Sequence, residues 1–277
     1  MLAKQNEVLE MIVRFAPLPE TLDAITRFVE GRCVGGMCSI LLVDETGTRL
    51  MRGATSSLPE AYSVAIDNMA IGPNEGSCGT AAYRKELVVV KDISGDPLWA
   101  NYRDLALRHK LKACWSHPIV SHAGQLLGTL AMYYREPRAP DTQLVDTINT
   151  ATSLACIAIE RKKSQEILSR YVERFQTVAR ATNDAVWDWD LAINSVWWNE
   201  GYQTLFGYRL EDIKPGIDSW YDPIHPDDRE RVFRGVHALI DSAAQAWIDE
   251  YRFRRRDRMR DHIVWRPNLF PCEQVIP

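Results

Sequence analysis

The sequence predicts an α+β protein of two domains, each a mainly antiparallel sheet flanked by helices, joined by one long helix. Three observations carry that reading. Strand-like segments come in adjacent pairs around polar turns, at Cys38–Val43 with Arg49, Ala113–Val120 with Gln125–Tyr134, and Ala185–Asp190 with Ser195–Trp198, the pattern of hairpins. No Pro or Gly interrupts Thr142–Thr182, so one helix can run through it. And 277 residues suit two domains of ordinary size better than one.

Along the chain, Leu22, Ile25, Phe28 and Val29 share a face of a helix over residues 20–30 that Gly31 ends. The run Cys38–Val43 enters the turn Asp44-Glu45-Thr46-Gly47, and a second strand starts at Arg49. Leu58-Pro59-Glu60 opens a helix with Tyr62, Ala65 and Ile66 facing inward, Pro being tolerated in a first turn. After the turn-rich loop Ile71–Gly76, a short helix over Ser77–Tyr83 is expected to begin at a Ser cap. Leu87–Val90 reads as a buried strand from its β-branched content. Asp96-Pro97 opens a helix with Trp99, Tyr102, Leu105 and Ala106 on one side.

In the long helix, Leu144, Ile148, Ala151, Ala155 and Ala158 alternate four and three apart, a coiled-coil-like seam. The charged stretch Arg161–Glu166 interrupts it, and it resumes, shifted, with Leu168, Val172, Phe175 and Ala179. A parallel homodimer through the Leu144–Ala179 helix is expected from that pattern. A second compact unit follows: the Ala185–Trp198 hairpin, helical pieces at Gly201–Phe206 and Leu210–Ile213, and a longer helix capped by Asp227 or Asp228. Trp247–Phe253 then alternates like a half-buried strand.

Composition narrows the function. Hydrophobic residues are 46% and charged residues 25%, the balance of a folded chain, and a net charge of −4 leaves no general attraction to nucleic acid. The basic cluster Arg252–Arg260 reads as a solvated strand edge. No apolar run approaches the ~20 residues that span a bilayer, and the amino terminus lacks a signal-peptide core, so no membrane partner and a cytoplasmic location are expected. The six cysteines, Cys33, Cys38, Cys78, Cys114, Cys156 and Cys272, are dispersed without a CxxC pair, which argues against a disulfide framework or a zinc site.

The stretch Ala61–Arg135 resembles the GAF domains of bacterial signalling proteins. The residues that carry the likeness are Leu58-Pro59, Ile71-Gly72-Pro73, above all Gly76-Ser77-Cys78-Gly79-Thr80-Ala81, then Asp96-Pro97-Leu98-Trp99, Pro118-Ile119 and Gly128-Thr129-Leu130. The second unit resembles a PAS domain through Trp187-Asp188-Trp189-Asp190, Leu205-Phe206-Gly207-Tyr208, His225-Pro226-Asp227-Asp228-Arg229 and Glu250-Tyr251-Arg252. These resemblances give a GAF-like domain over residues 1–162, a connecting helix over 163–182, a PAS-like domain over 183–265 and an irregular tail over 266–277. In the PAS-like unit at most one of the two strands that usually follow Asp257 is expected.

The resemblance implies a sensory input module: a small molecule or a redox change is felt in the first domain and relayed through the helix. A histidine kinase or response regulator is the implied partner. A shortened histidine kinase, or a diguanylate cyclase or phosphodiesterase, whose catalytic domain lies outside this chain is the alternative. A thiol-based methionine sulfoxide reductase is a second alternative, since those enzymes carry a similar Gly-x-Cys-Gly-Thr-Ala stretch. No catalytic motif, metal site or named cofactor emerges from the residues.

The candidate ligand site is Cys78, Gly79, Thr80, Trp99, Tyr102, Cys114, Trp115 and Ser116. Glycines flanking Cys78 let backbone approach a ligand, and the start of a helix lowers a thiol's pKa. In GAF-like topology the strand from Cys114 lines the same cavity, and the aromatics can stack on a planar ligand. Plain core packing of the same side chains remains the alternative. His225 is read as a loop-fixing cap, and His237 as the one histidine placed where a PAS pocket ligand could sit.

Overall fold

The computed structural model describes residues 2–181, 184–241, 247–256, 262–265 and 268–269. Two compact units divide at Ile167/Leu168. The first contains helices α1 (Leu2–Val13) and α2 (Leu18–Glu30), strands β1 (Met37–Val43) and β2 (Arg49–Ala54), helix α3 (Glu60–Ala65), strand β3 (Met69–Ala70) and helix α4 (Gly76–Arg84). Strand β4 (Val88–Val90), helix α5 (Arg103–Arg108), strands β5 (Ala113–Val120) and β6 (Leu126–Tyr134) and helix α6 (Thr142–Ala181) complete it, α6 running on past the division.

The six strands form one antiparallel sheet in the order β3-β2-β1-β6-β5-β4. Because side chains alternate across a strand, the sheet carries two separate cores. One face (Cys38, Ile40, Trp115, Leu130, Met132, Tyr134) packs with α1, α2 and α6. The other (Leu41, Cys114, Ala131, Tyr133) packs under α3, α4 and Trp99.

Several expectations change on this face-by-face view. Leu144, Ile148, Ala151, Ala155 and Ala158, expected to form a seam between two copies, are buried in their own domain against the sheet. A sheet face that apolar must be covered, and the small residues let α6 lie close. Ala65 is exposed and Ser63 takes the inward position beside Tyr62. The helix expected from Asp96 is a 3-10 turn at Pro97–Trp99, capped by the Asp96 carboxylate, followed by α5. α1 was not expected; Val8 and Ile12 bury it in the first core.

The second unit holds β7 (Trp187–Asp190), β8 (Ser195–Trp198), α7 (Glu200–Phe206), α8 (Asp218–Tyr221), α9 (Pro226–Ile240), β9 (Trp247–Ile248), β10 (Tyr251–Arg254), β11 (His262–Trp265) and β12 (Asn268–Leu269). Its strands pair antiparallel as β7–β8, β10–β11 and β9–β12. Two strand segments therefore follow Asp257 where at most one was expected, the second only two residues long. The rest of the 266–277 tail, with Cys272, and Arg258 and Arg260 of the basic cluster lie outside the described residues. Aromatics fill this core: Trp187 stacks on Trp198 and Trp220 at centroid distances of 5.6 and 5.3 Å.

α9 is capped by the His225 side chain accepting from the Asp227 N–H, with Pro226 in the first turn, so neither Asp227 nor Asp228 is the cap. Asp228 is free to hold Arg252 instead, at 2.8 Å, and Arg256 pairs with Asp212, so the basic strand is tied down. His237 is half-buried, its Nδ1 3.0 Å from the Phe233 carbonyl. The Arg252 side chain, accepting burial's opposing push, holds the Asp228 carboxyl down to about 2. That lies below the ~3.9 of an unfolded Asp, so the pair stabilises above pH ~4 and its contribution fades as pH falls from about 4 to about 2. With Arg252 partly exposed, solvent screening leaves about 1 kcal/mol. Asp228→Asn is expected to lose that amount at pH 7 and progressively less as pH falls through about 2, read from urea midpoints.

Candidate functional site

The site is built where α4 crosses β5 and β6. Gly76 enters α4 at φ +58°, a left-handed turn glycine takes freely. The helix does not start at a Ser cap. The Ser77 hydroxyl instead donates to the Cys114 carbonyl at 3.0 Å and accepts from the Trp99 indole N–H at 3.0 Å. Both bonds are buried, and together they seat the start of α4 on the start of β5. Gly79 has a packing role: a Cβ there would lie 2.5 Å from the Ala70 carbonyl oxygen, so its bareness serves the contact with β3 and not a ligand. Thr80 is buried, its hydroxyl 3.4 Å from the Pro73 carbonyl, closing the loop before the helix.

Strand register assembles the floor. Cys114 pairs with Tyr133 and Ser116 with Ala131, while Thr129 lies two residues from Ala131 on β6. All five face α4 by the two-residue alternation of their strands. Trp115, between Cys114 and Ser116, must point the other way. It packs in the α2/α6 core with its indole N–H on the Arg138 carbonyl at 3.0 Å, so it does not line the candidate site.

Cys78 thus sits over a polar patch inside an apolar core. Its sulfur is 3.5 Å from the Tyr133 hydroxyl. The buried hydroxyls of Ser116 and Thr129 have no hydrogen-bond partner. The Cys114 thiol, then the Tyr133 hydroxyl, outweigh burial and lower the Cys78 thiol to about 7. Burial pushes Cys114 and Tyr133 well above their ordinary ranges.

Beside Cys78 is a hollow of about 10 Å³ lined by Tyr62, Met69, Gly76, Trp99, Tyr102 and Tyr133, among others. That is about one water's worth of room at most. Its outer wall is Tyr102, whose hydroxyl donates to the Glu75 carboxylate at 2.5 Å and is raised to about 12 by burial and by that carboxylate. A larger cleft of about 490 Å³ opens among α1, α2 and the start of α6, near Lys4, Arg32, Cys33 and Arg138, and none of the predicted site residues line it. Among the described residues, no three His, Cys, Asp or Glu side chains converge to hold a metal. No described helix is long and apolar enough to cross a membrane.

Of the predicted residues, then, Cys78, Trp99 and Tyr102 line the hollow, Cys114 and Ser116 lie on the sheet face beneath α4 without lining it, Gly79 and Thr80 support the roof, and Trp115 leaves. Ser77, Glu75 and Thr129 were not singled out. For Thr129, strand parity with Tyr133 was the available signal.

Comparisons with known proteins place these units. The GAF domain profile matches residues 16–160 and the PAS fold profile residues 195–265. The methyl sulfide methyltransferase-associated sensor of Methanosarcina acetivorans is 36% identical over 187 residues, 68% of this chain and 19% of that protein. The chain therefore spans about a fifth of the length of that relative. The GAF domain of an Acinetobacter phosphoenolpyruvate-protein phosphotransferase is 17% identical with a TM-score of 0.48, over 60% of this chain and 96% of that one. A domain of a two-component sensor histidine kinase protein from Sinorhizobium meliloti 1021 is 21% identical with a TM-score of 0.44, over 57% and 97%.

Proposed function

The chain belongs to the GAF domain family, with a PAS fold behind it, and from that premise we propose that it is the input part of a signalling protein whose first unit takes a small ligand under α4. The observation that carries this is the shared sheet. On β5 and β6, Tyr133 borders the hollow with Cys114 paired beside it, and Trp115, Leu130 and Met132 from the same strands face α6. An occupant that displaces the first set strains the second, because a packed sheet has little give. α6 then carries the displacement onward, as one continuous helix of 40 residues whose first part covers the sheet.

The ligand must be small and must part the Tyr102–Glu75 contact, since the closed hollow holds no more than about a water. A second copy is the first partner: Leu168, Tyr171, Val172, Phe175 and Val178 are exposed on α6 at coiled-coil spacing, so pairing begins after the part of the helix that covers the sheet. A cytoplasmic setting, and a histidine kinase or response regulator as the output, complete the reading.

Native mass spectrometry of the purified chain, with an absorbance spectrum, tests it. A mass increment lost on denaturation is expected. A chain showing only its own mass, as purified and after incubation with a panel of small metabolites, overturns the ligand.

A further inference from the structure

We propose that the cleft among α1, α2 and the start of α6 is a second ligand site, which takes a small organic anion: a carboxylate or phosphate carried on an apolar body. It is separate from the hollow under α4, because its buried lining belongs to the core on the opposite face of the sheet.

The cleft has the size and the layering of a small-molecule site. Its volume of about 490 Å³ falls within the ~300–1,000 Å³ usual for such sites. Phe28, Cys33, Leu144 and Thr147 line it and are buried, so its floor is mainly apolar. Lys4, Arg32 and Arg138 line it as well, against one carboxylate, Asp141. That carboxylate is already engaged, accepting the Leu144 N–H at 2.8 Å where α6 begins. Glu30, at the adjoining end of α2, is turned to the Cys38 N–H at 2.8 Å and the Ser57 hydroxyl at 2.6 Å. Positive charge therefore dominates the rim of an apolar floor, the arrangement that suits an anion with an apolar part.

Arg138 is the residue that points to an anion. Its backbone is fixed twice, the carbonyl accepting the Trp115 indole N–H at 3.0 Å and the N–H donating to the Lys91 carbonyl at 3.1 Å. Its guanidinium lies 4.8 Å from the Tyr134 ring centroid and donates once, to the Val34 carbonyl at 3.3 Å. The side chain is half-buried, and among the described residues it pairs with no carboxylate. A guanidinium carries five N–H donors in a planar fork, so most of them remain for a carboxylate or phosphate, which takes two at once. A fork already held by a ring and a carbonyl loses little freedom when it binds. Arg32 is held in a similar way, 4.7 Å from the Phe28 ring centroid. Lys4 reaches the same place from α1: a Cβ on Gly31 would lie 3.4 Å from its ammonium.

An occupant here bears directly on the relay helix. Leu144 and Thr147 belong to α6, Phe28 to α2 and Lys4 to α1, so an anion in the cleft touches all three helices. A ligand under α4 reaches α6 only through the sheet, whereas this one meets α6 itself. The two sites can then bias one helix from two sides, each by its own difference in affinity between the positions α6 adopts.

The test titrates the full chain with phenyl phosphate and with phenylacetate by calorimetry at low ionic strength, and locates them by hydrogen-exchange mass spectrometry. Saturable binding of at least one probe is expected, with exchange slowed at residues 32–34 and 138–147 and unchanged at 76–84. Benzyl alcohol has the ring without the charge, and inorganic phosphate the charge without the ring; each is expected to bind more weakly than the probe. Arg138→Gln is expected to weaken the probe about tenfold or more, and Arg138→Lys to recover only part of that, since the charge returns without the fork. Because Arg138 also packs on Tyr134, Lys4→Gln on the exposed side of α1 supplies a variant away from the core, expected to weaken the probe about two- to fivefold. No saturation by either probe at millimolar concentration, a control that binds as tightly as the anions, or an affinity unmoved in both Arg138→Gln and Lys4→Gln overturns the proposal. Exchange slowed at residues 76–84 in place of the cleft overturns it too, and assigns the probe to the hollow under α4.

Discussion

Gly79→Ala is expected to lower the melting temperature of the first unit by about 6–12 °C, corresponding to about 3 kcal/mol at 2–4 °C per kcal/mol in a domain of this size. Alanine is the better helix former, so an exposed position in α4 would gain about 1 kcal/mol from the change. At Gly79 the added Cβ would sit 2.5 Å from the Ala70 carbonyl oxygen and 2.5 Å from the Glu75 Cβ. The first of these is backbone in β3 and cannot rotate away, so α4 has to lift or β3 has to shift. The clash outweighs the propensity gain. Because α4 also carries Ser77 and Cys78, the displacement reaches the site: the Ser77–Cys114 bond lengthens and Cys78 leaves its donors. Calorimetry reads the stability loss, and Cys78 alkylation kinetics read the site. A variant as stable as the parent would show that α4 does not rest on β3 as described.

Replacing Leu168, Val172 and Phe175 together with Glu is expected to turn a dimer into a monomer at tens of micromolar in sedimentation equilibrium. Each side chain is about half exposed or more on α6 (64%, 48% and 52%). Burying an apolar side chain of this kind contributes about 1.5–3 kcal/mol, twice over in a two-fold interface. Counting only part of that area, the loss is at least about 4 kcal/mol, a thousandfold in dissociation constant. The same change at Ile148 or Ala155 would be uninformative, because those residues belong to the domain's own core and their replacement unfolds it. A parent chain that is monomeric at tens of micromolar would remove the dimer from the reading.

The relation between the seam expected from the heptad pattern and the one observed shows where sequence reading reaches its limit. Leu144 to Ala158 and Leu168 to Phe175 carry the same four-three spacing, and both are helical. Periodicity reports that one face of a helix is apolar; it does not report whether a sheet or another helix covers it. The site divides along a similar line. The Gly76–Ala81 motif was legible as the place where backbone conformation is special, and Gly76 does adopt positive φ. Trp115 could have been excluded from strand parity alone once Cys114 was placed facing the hollow, since neighbours on a strand face opposite ways.

What the sequence by itself determined was the main hairpins with their antiparallel pairing and the long uninterrupted helix, because these follow from local signals: Pro and Gly punctuation, two-residue and 3.6-residue periods, and turn residues. What only the tertiary structure decided was which groups meet. The register that sets Cys114 beside Tyr133 and Ser116 beside Ala131, and the seating of α4 that lowers Cys78 among them, join residues far apart in the chain. No local pattern encodes those contacts, because they arise from the packing of α4 on the sheet as a whole.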